Sequence, residues 1–105
     1  MILVLAANGS KRLEAADVFN RFHCEVDAAY PDLETARAAW AGVVALESRE
    51  TAWVDLQELL ELAPGDVDER RAWQLQAREM AKQAARHGWF RKDPPAIKSH
   101  IVWRT

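Results

Sequence analysis

The feature that most constrains this chain is a long amphipathic stretch at residues 69–87, stopped by Gly88. Trp73, Ala77, Met80, Ala81 and Ala84 recur there at i, i+4, i+7, i+8 and i+11, which is one stripe of a helix. Asp68 stands where a helix N-cap belongs, and Gly88 where the left-handed residue that closes a helix belongs. Such a helix is about 28 Å long at 1.5 Å per residue, and its apolar stripe must lie on a core built by the rest of the chain.

The remaining pattern predicts mostly helix. Asn8-Gly9-Ser10 is a turn signal with Ser10 as a helix N-cap. Ala15, Val18, Phe19, Phe22, Val26, Ala29 and Tyr30 then follow helical spacing over about 11–30, until Pro31. Leu33, Ala36, Trp40, Val43 and Val44 continue it over about 32–48. Thr51 to Val54 reads as a short extended piece. Asp55 with Glu58 has capping-box spacing and opens a short helix over about 55–63, carried by Leu56, Leu59, Leu60 and Ala63. Pro64-Gly65 is a turn. After Gly88, Trp89-Phe90-Arg91 and Ala96 to Trp103 read as two strands joined at Asp93-Pro94-Pro95, a β-hairpin.

The opening run Met1 to Ala7 is apolar but short, and it lacks the basic flank of a signal peptide. It reads as a strand or a helix end. No stretch reaches the ~18 apolar residues of a membrane span. With 105 residues, half of them apolar, and five Trp, the chain is expected to form one domain, 1–105, with a real core. The lone Cys24 has no internal disulfide partner, which points to a reducing cytoplasm. The expected fold is mainly α (α+β): a three-helix core with a C-terminal hairpin over 32–105, preceded by an additional helix at 11–30.

Charge is divided along the chain. Residues 1–68 carry 13 acidic and 5 basic side chains, a net of −8, and residues 69–105 carry 3 acidic and 9 basic, a net of +6; together these make the −2 of the whole. On the long helix, Arg71, Arg78, Lys82 and Arg86 fall at i, i+7, i+11 and i+15, one line along it, with Gln74 beside the N-terminal half. Arg91, Lys92 and Lys98 follow on the hairpin.

The order from residue 32 onward resembles the winged-helix variant of the helix-turn-helix family. Trp53-Val54-Asp55-Leu56-Gln57-Glu58-Leu59, the helix end Ala84-Ala85-Arg86-His87-Gly88-Trp89-Phe90, and Ile97 to Arg104 carry the resemblance. It implies a double-stranded DNA-binding protein, a regulator or a phage or mobile-element accessory factor, with the long helix as reader and the hairpin as wing. Arg71, Gln74, Arg78, Lys82 and Arg86 would then meet bases and phosphates in the major groove, and Arg91, Lys92 and Lys98 the backbone.

Two other readings of the same charges stand beside this one. A basic stripe is often a solvated face, here paired with the acidic half of the chain. A pI near 5.9 is low for a dedicated duplex binder. The acidic side chains Glu14, Asp17, Asp27, Asp32, Glu34, Glu47, Glu50, Glu58 and Glu61 would equally suit a small protein-binding inhibitor that presents a DNA-like surface. In that case the acidic helices hold the protein partner. The apolar face of the helix at 11–30, with Phe19, Phe22 and Tyr30, suits a homodimer arm.

Nothing in the sequence suggests an enzyme. His23-Cys24-Glu25 with His87 or His100 matches no zinc spacing, and neighbouring ligands on a helix point about 100° apart. Asn8-Gly9-Ser10-Lys11 lacks the P-loop spacing. No cofactor or metal is expected. Of the five Trp, only Trp89 and Trp103 are left as candidates to stack on a base rather than fill the core.

Overall fold

The computed structural model describes residues 1–104; Thr105 lies outside the described residues. Among the described residues, seven strands form one mixed sheet that curls into a half-barrel, with three α-helices and a short 3-10 helix. The strands are β1 (Ile2–Leu5), β2 (Lys11–Glu14), β3 (His23–Val26), β4 (Val44–Leu46), β5 (Thr51–Asp55), β6 (Phe90–Lys92) and β7 (Pro95–Trp103). The helices are α1 (Leu33–Trp40), α2 (Leu56–Glu61) and α3 (Val67–Arg86), and the 3-10 turn is Phe19–Arg21. The sheet order is β2-β1-β3-β7-β5-β4, with β6 also on β7. The expected mainly α fold, a three-helix core with a hairpin wing, is therefore overturned.

β7 decides the architecture. One edge pairs antiparallel with β5 from Asp55↔Ala96 to Thr51↔His100. The other edge carries β6 at Pro95 to Ile97 and then β3, in parallel, from Ile101 to Trp103. The strand predicted as a wing is thus the middle of the sheet. Its sequence shows why: Ile97, Ser99 and Ile101 are buried on the inner face and alternate with exposed Lys98, His100 and Val102.

The predicted helix at 11–30 is absent. Its residues form β2, the 3-10 turn and β3 instead. Phe22 and Val26 lie four apart, a spacing that serves both a helix and a strand. Cys24 between them is fully buried, so the period here is two. Ala15, assigned to a helical stripe, sits in a turn at φ 48°. Ser10 caps no helix; its N–H and hydroxyl both donate to Asn8 Oδ1 within the β1–β2 turn. Leu3, Val4 and Leu5 are all buried, so both faces of β1 are covered, which explains its unbroken apolar run.

The predicted helix at 32–48 is cut at Trp40. Gly42, at φ 91°, turns the chain, and Val44 and Leu46 then alternate with Ala45 on edge strand β4. Arg37 occupies part of that edge, its Nε donating to Leu46 O at 2.9 Å. Asp55 caps α2 by accepting from Glu58 N, as the Asp55/Glu58 spacing predicts, and Asp32 caps α1 by accepting from Thr35 N. The short strand expected near Thr51 is β5.

α3 matches its expected stripe: Trp73, Ala77, Ala81 and Ala84 are buried and Met80 half-buried. The cap is Asp66 rather than Asp68, in a full capping box with Glu69. At the other end Gly88 N–H donates to Ala85 O and Trp89 N–H to Ala84 O, the two bonds of a Schellman closure. One buried cluster joins Leu3, Leu5, Cys24 and Val26 with Val54, Ile97 and Ile101 on the strands and with all three helices. Among the described residues no helix is long and apolar enough to cross a membrane.

Candidate binding groove

The closure of α3 places Trp89 at the head of an open groove. One wall is the flank of α3 bearing Leu75, Gln76, Glu79, Met80 and Gln83. The opposite wall is the 3-10 turn and the residue after it, Phe19 to Phe22. His87 and Trp89 form the end, and Ile97 and Lys98 of β7 line it beyond. The groove holds about 690 Å³, and its lining surface is mainly apolar. A second depression of about 350 Å³ continues from it and shares Phe22, Trp89 and Lys98.

The strand register explains the second depression. β6 pairs with β7 only as far as Ile97, and β3 begins to pair at Ile101. Lys98, Ser99 and His100 therefore have no strand partner on that edge, and the chain opens there between Trp89 and Phe22. Lys98 N–H still donates to Trp89 O at 2.7 Å, which ties the head of the groove to the central strand. The far wall is tied equally firmly. Trp73 Nε1 donates to Ala16 O at 2.8 Å, and its ring lies 5.7 Å from that of Phe19. Both walls are thus held by buried parts of the core.

Two large apolar side chains in this groove face solvent: Leu75 is 63% exposed and Trp89 50%. The charged residues that line it are Arg21, Lys98 and Glu79, and Glu50 lines the second depression. Arg21 and Lys98 make no ion pair among the described residues. Glu79, the carboxylate of the larger depression, is held by Lys82 Nζ at 3.0 Å.

The predicted DNA-contacting residues divide among several surfaces. Arg71, Arg78, Lys82 and Arg86 are exposed on α3. At 100° per residue, Arg71, Arg78 and Lys82 fall within about 40° of one another, and the groove-wall residues of α3 spread from about 40° (Leu75) to about 180° (Met80) round from Arg71, so the basic line adjoins the Leu75 margin of the groove. Lys98 lines the groove. Arg91 lies on the outer face of the sheet, its guanidinium 5.3 Å from the Trp53 ring, and Lys92 is exposed at the end of β6. Gln74 is half-buried, with its amide donating to Leu60 O at 3.0 Å, so it is turned toward α2.

The acidic residues do not form a helical surface. Of the nine acidic residues assigned to a partner surface, only Glu34, Glu58 and Glu61 lie within helices, while Asp32 caps α1. Glu14 and Glu25 bond Arg104 at 3.1 and 2.8 Å on the outer face of the sheet. Arg104 and then His23 hold the Glu25 carboxyl below its ordinary range; Arg12 and then Arg104 do the same for Glu14. His23 and Glu25 bond each other at 2.8 Å, whereas Cys24 between them points inward. With Cys24 on the opposite face of β3 from His23 and Glu25, the three side chains do not converge, and burial pushes the Cys24 thiol up to about 12. Trp103 is engaged as well: its Nε1 donates to Arg49 O, and the Arg49 guanidinium covers the ring at 4.4 Å. Of the two Trp left open by the sequence, Trp89 is the one that faces solvent.

Sequence reasoning missed the groove because its walls are far apart in the chain. The only local signal was Leu75, an apolar residue outside the stripe of α3. Comparison with protein-family models, with curated proteins and with solved structures finds no match for this chain.

Proposed function

We propose that this protein is a non-enzymatic interaction module that receives an apolar segment of a partner protein in the groove between α3 and the 3-10 turn. The observation that carries the reading is the joint exposure of Leu75 and Trp89 on one apolar groove. Single exposed apolar residues are ordinary, but a contiguous apolar groove with polar margins is a usual mark of an interaction site. Buried aromatic and aliphatic anchors contribute most of the energy of such interfaces. A cytoplasmic location belongs to the same proposal, supported by a lone, buried thiol.

The test is differential capture from the host cell after nuclease treatment. Wild-type protein should retain a protein partner that the Leu75→Asp and Trp89→Ala variants lose. Retention that ignores both substitutions refutes the reading.

One observation favours a second reading, binding to double-stranded DNA through the outer flank of α3. Arg71 and Arg78 are exposed and make no ion pair among the described residues. Fluorescence anisotropy with mixed duplexes across a salt series tests it. Affinity should be greatest near ~50 mM salt and fall in an Arg71→Ala/Arg78→Ala variant. No affinity at that salt rejects it.

A further inference from the structure

We propose that Asn8 is a site of spontaneous deamidation, where the side-chain amide is lost as ammonia through a succinimide formed with the Gly9 backbone nitrogen. The inference is independent of the groove. It starts from Asn8-Gly9-Ser10, which caps no helix and forms the tip of the β1–β2 turn. The nucleophile there is accessible. Gly9 has no side chain, an added Cβ would meet nothing within 4 Å, and residues 7–10 are all exposed. The electrophile is polarised: Asn8 Oδ1 accepts from Ser10 N–H at 3.0 Å and from the Ser10 hydroxyl at 2.6 Å. These bonds turn the side chain forward along the chain, toward the Gly9 peptide. They also strengthen as negative charge grows on that oxygen during attack. The leaving group is free, since Asn8 Nδ2 makes no hydrogen bond among the described residues. One bond opposes the reaction: Gly9 N–H donates to Ala6 O at 3.0 Å and must open first. Opening does not strand the carbonyl, because the Tyr30 hydroxyl also donates to Ala6 O at 3.0 Å.

Water or hydroxide takes the Gly9 amide proton, and the nitrogen attacks Asn8 Cγ. An N–Cγ bond forms, the Cγ–Nδ2 bond breaks, and Nδ2 leaves as ammonia with a proton from solvent. Water then adds to one of the two ring carbonyls and breaks one C–N bond. The product at position 8 is aspartate, or isoaspartate with an extra main-chain carbon. Either product makes the chain one unit more negative than its −2. The isoaspartyl form also lengthens the turn that Ala6 N–H closes on Ser10 O at 2.9 Å, so its effect falls on β2, the outermost strand of the sheet. Asn20, the other asparagine, is an internal control. Arg21 follows it within the 3-10 turn, where a side chain crowds ring closure, and no hydrogen bond polarises its amide among the described residues.

The experiment is incubation of the intact, folded protein for several weeks at neutral and mildly alkaline pH, followed by peptide mass mapping, enzymatic methylation of isoaspartate and ion-exchange chromatography. Asn8 should convert while Asn20 stays intact, a more acidic species should grow in, and part of the product should be isoaspartyl. The rate should rise with pH, up to about tenfold per unit, because the attacking nitrogen must lose its proton. Ser10→Ala keeps the backbone donor to Asn8 Oδ1 and loses the hydroxyl. It should slow conversion about threefold or more in the folded protein and leave it unchanged in denaturant. Circular dichroism checks that the variant is folded, and the comparison of Asn8 with Asn20 in wild type stands whether or not it is. An intact Asn8 after incubation, or conversion of Asn20 at an equal rate, overturns the proposal. Equal rates for folded Ser10→Ala and wild type overturn the activating role of the turn.

Discussion

The His87 imidazole and the Trp89 indole stack across Gly88, 4.6 Å between ring centroids and 23° from parallel. The stack follows from how α3 ends. Gly88 turns the backbone at φ 76°, the closing bonds fold Trp89 back over the last helical turn, and the indole then forms the end of the groove. A helix terminator in the sequence thus positions a side chain of the candidate site.

Gly88→Ala is expected to destabilise the protein by about 1–2 kcal/mol, since an L residue at positive φ crowds its own carbonyl. A Cβ there would meet nothing within 4 Å, so the cost is conformational and not steric with neighbours. Urea unfolding measures it. The same variant should weaken any groove ligand, because relaxing the turn moves Trp89.

Trp73 ties α3 to the other wall through the Ala16 carbonyl and the Phe19 ring. Its removal by Trp73→Ala should cost about 3–5 kcal/mol, a large part of the ~5–15 kcal/mol that holds a domain of this kind. Trp73→Phe keeps much of the packing but leaves the carbonyl without its donor, and should cost less. The midpoint of denaturant unfolding would rank the two, and equal values would contradict the role given to the indole N–H.

The outer-face ion cluster makes stability depend on acid. The carboxyls of Glu14 and Glu25 lie below their ordinary value of 4.5 in the folded protein, so the folded state holds fewer protons there than the unfolded one. Their contribution is complete above about pH 5 and is lost as pH falls from 4.5 through the lowered folded values. Arg104 stays charged throughout. Thermal melts from pH 7 to pH 3 should therefore show a steeper acid limb for wild type than for Arg104→Gln, and parallel curves would count against the cluster.

Cys24 is expected to resist thiol reagents in the native protein. Burial raises its pKa to about 12, leaving almost no thiolate at neutral pH, and the side chain is fully enclosed. Reaction with a disulfide reagent should appear only at denaturant concentrations that unfold the chain. Fast labelling without denaturant would refute the inward orientation of β3.

By itself the sequence determined those features whose causes lie within a few residues. The stripe and closure of α3, the Asp55 cap on α2, the turn at Asn8-Gly9 and the β6–β7 hairpin all follow from local spacing and backbone preference. Only the tertiary structure decided what the strands were for. Residues 11–30 satisfied helical spacing because apolar residues four apart suit both periods, and pairing of β3 with β1 and β7 selected the strand. Strand β7 looked like a hairpin arm because its partners β3 and β5 lie some 75 and 45 residues earlier, and nothing local reports such pairing. The groove has the same origin. Leu75 and Trp89 face the same space only because Trp73 and Lys98 anchor its walls to parts of the chain that the local pattern does not connect.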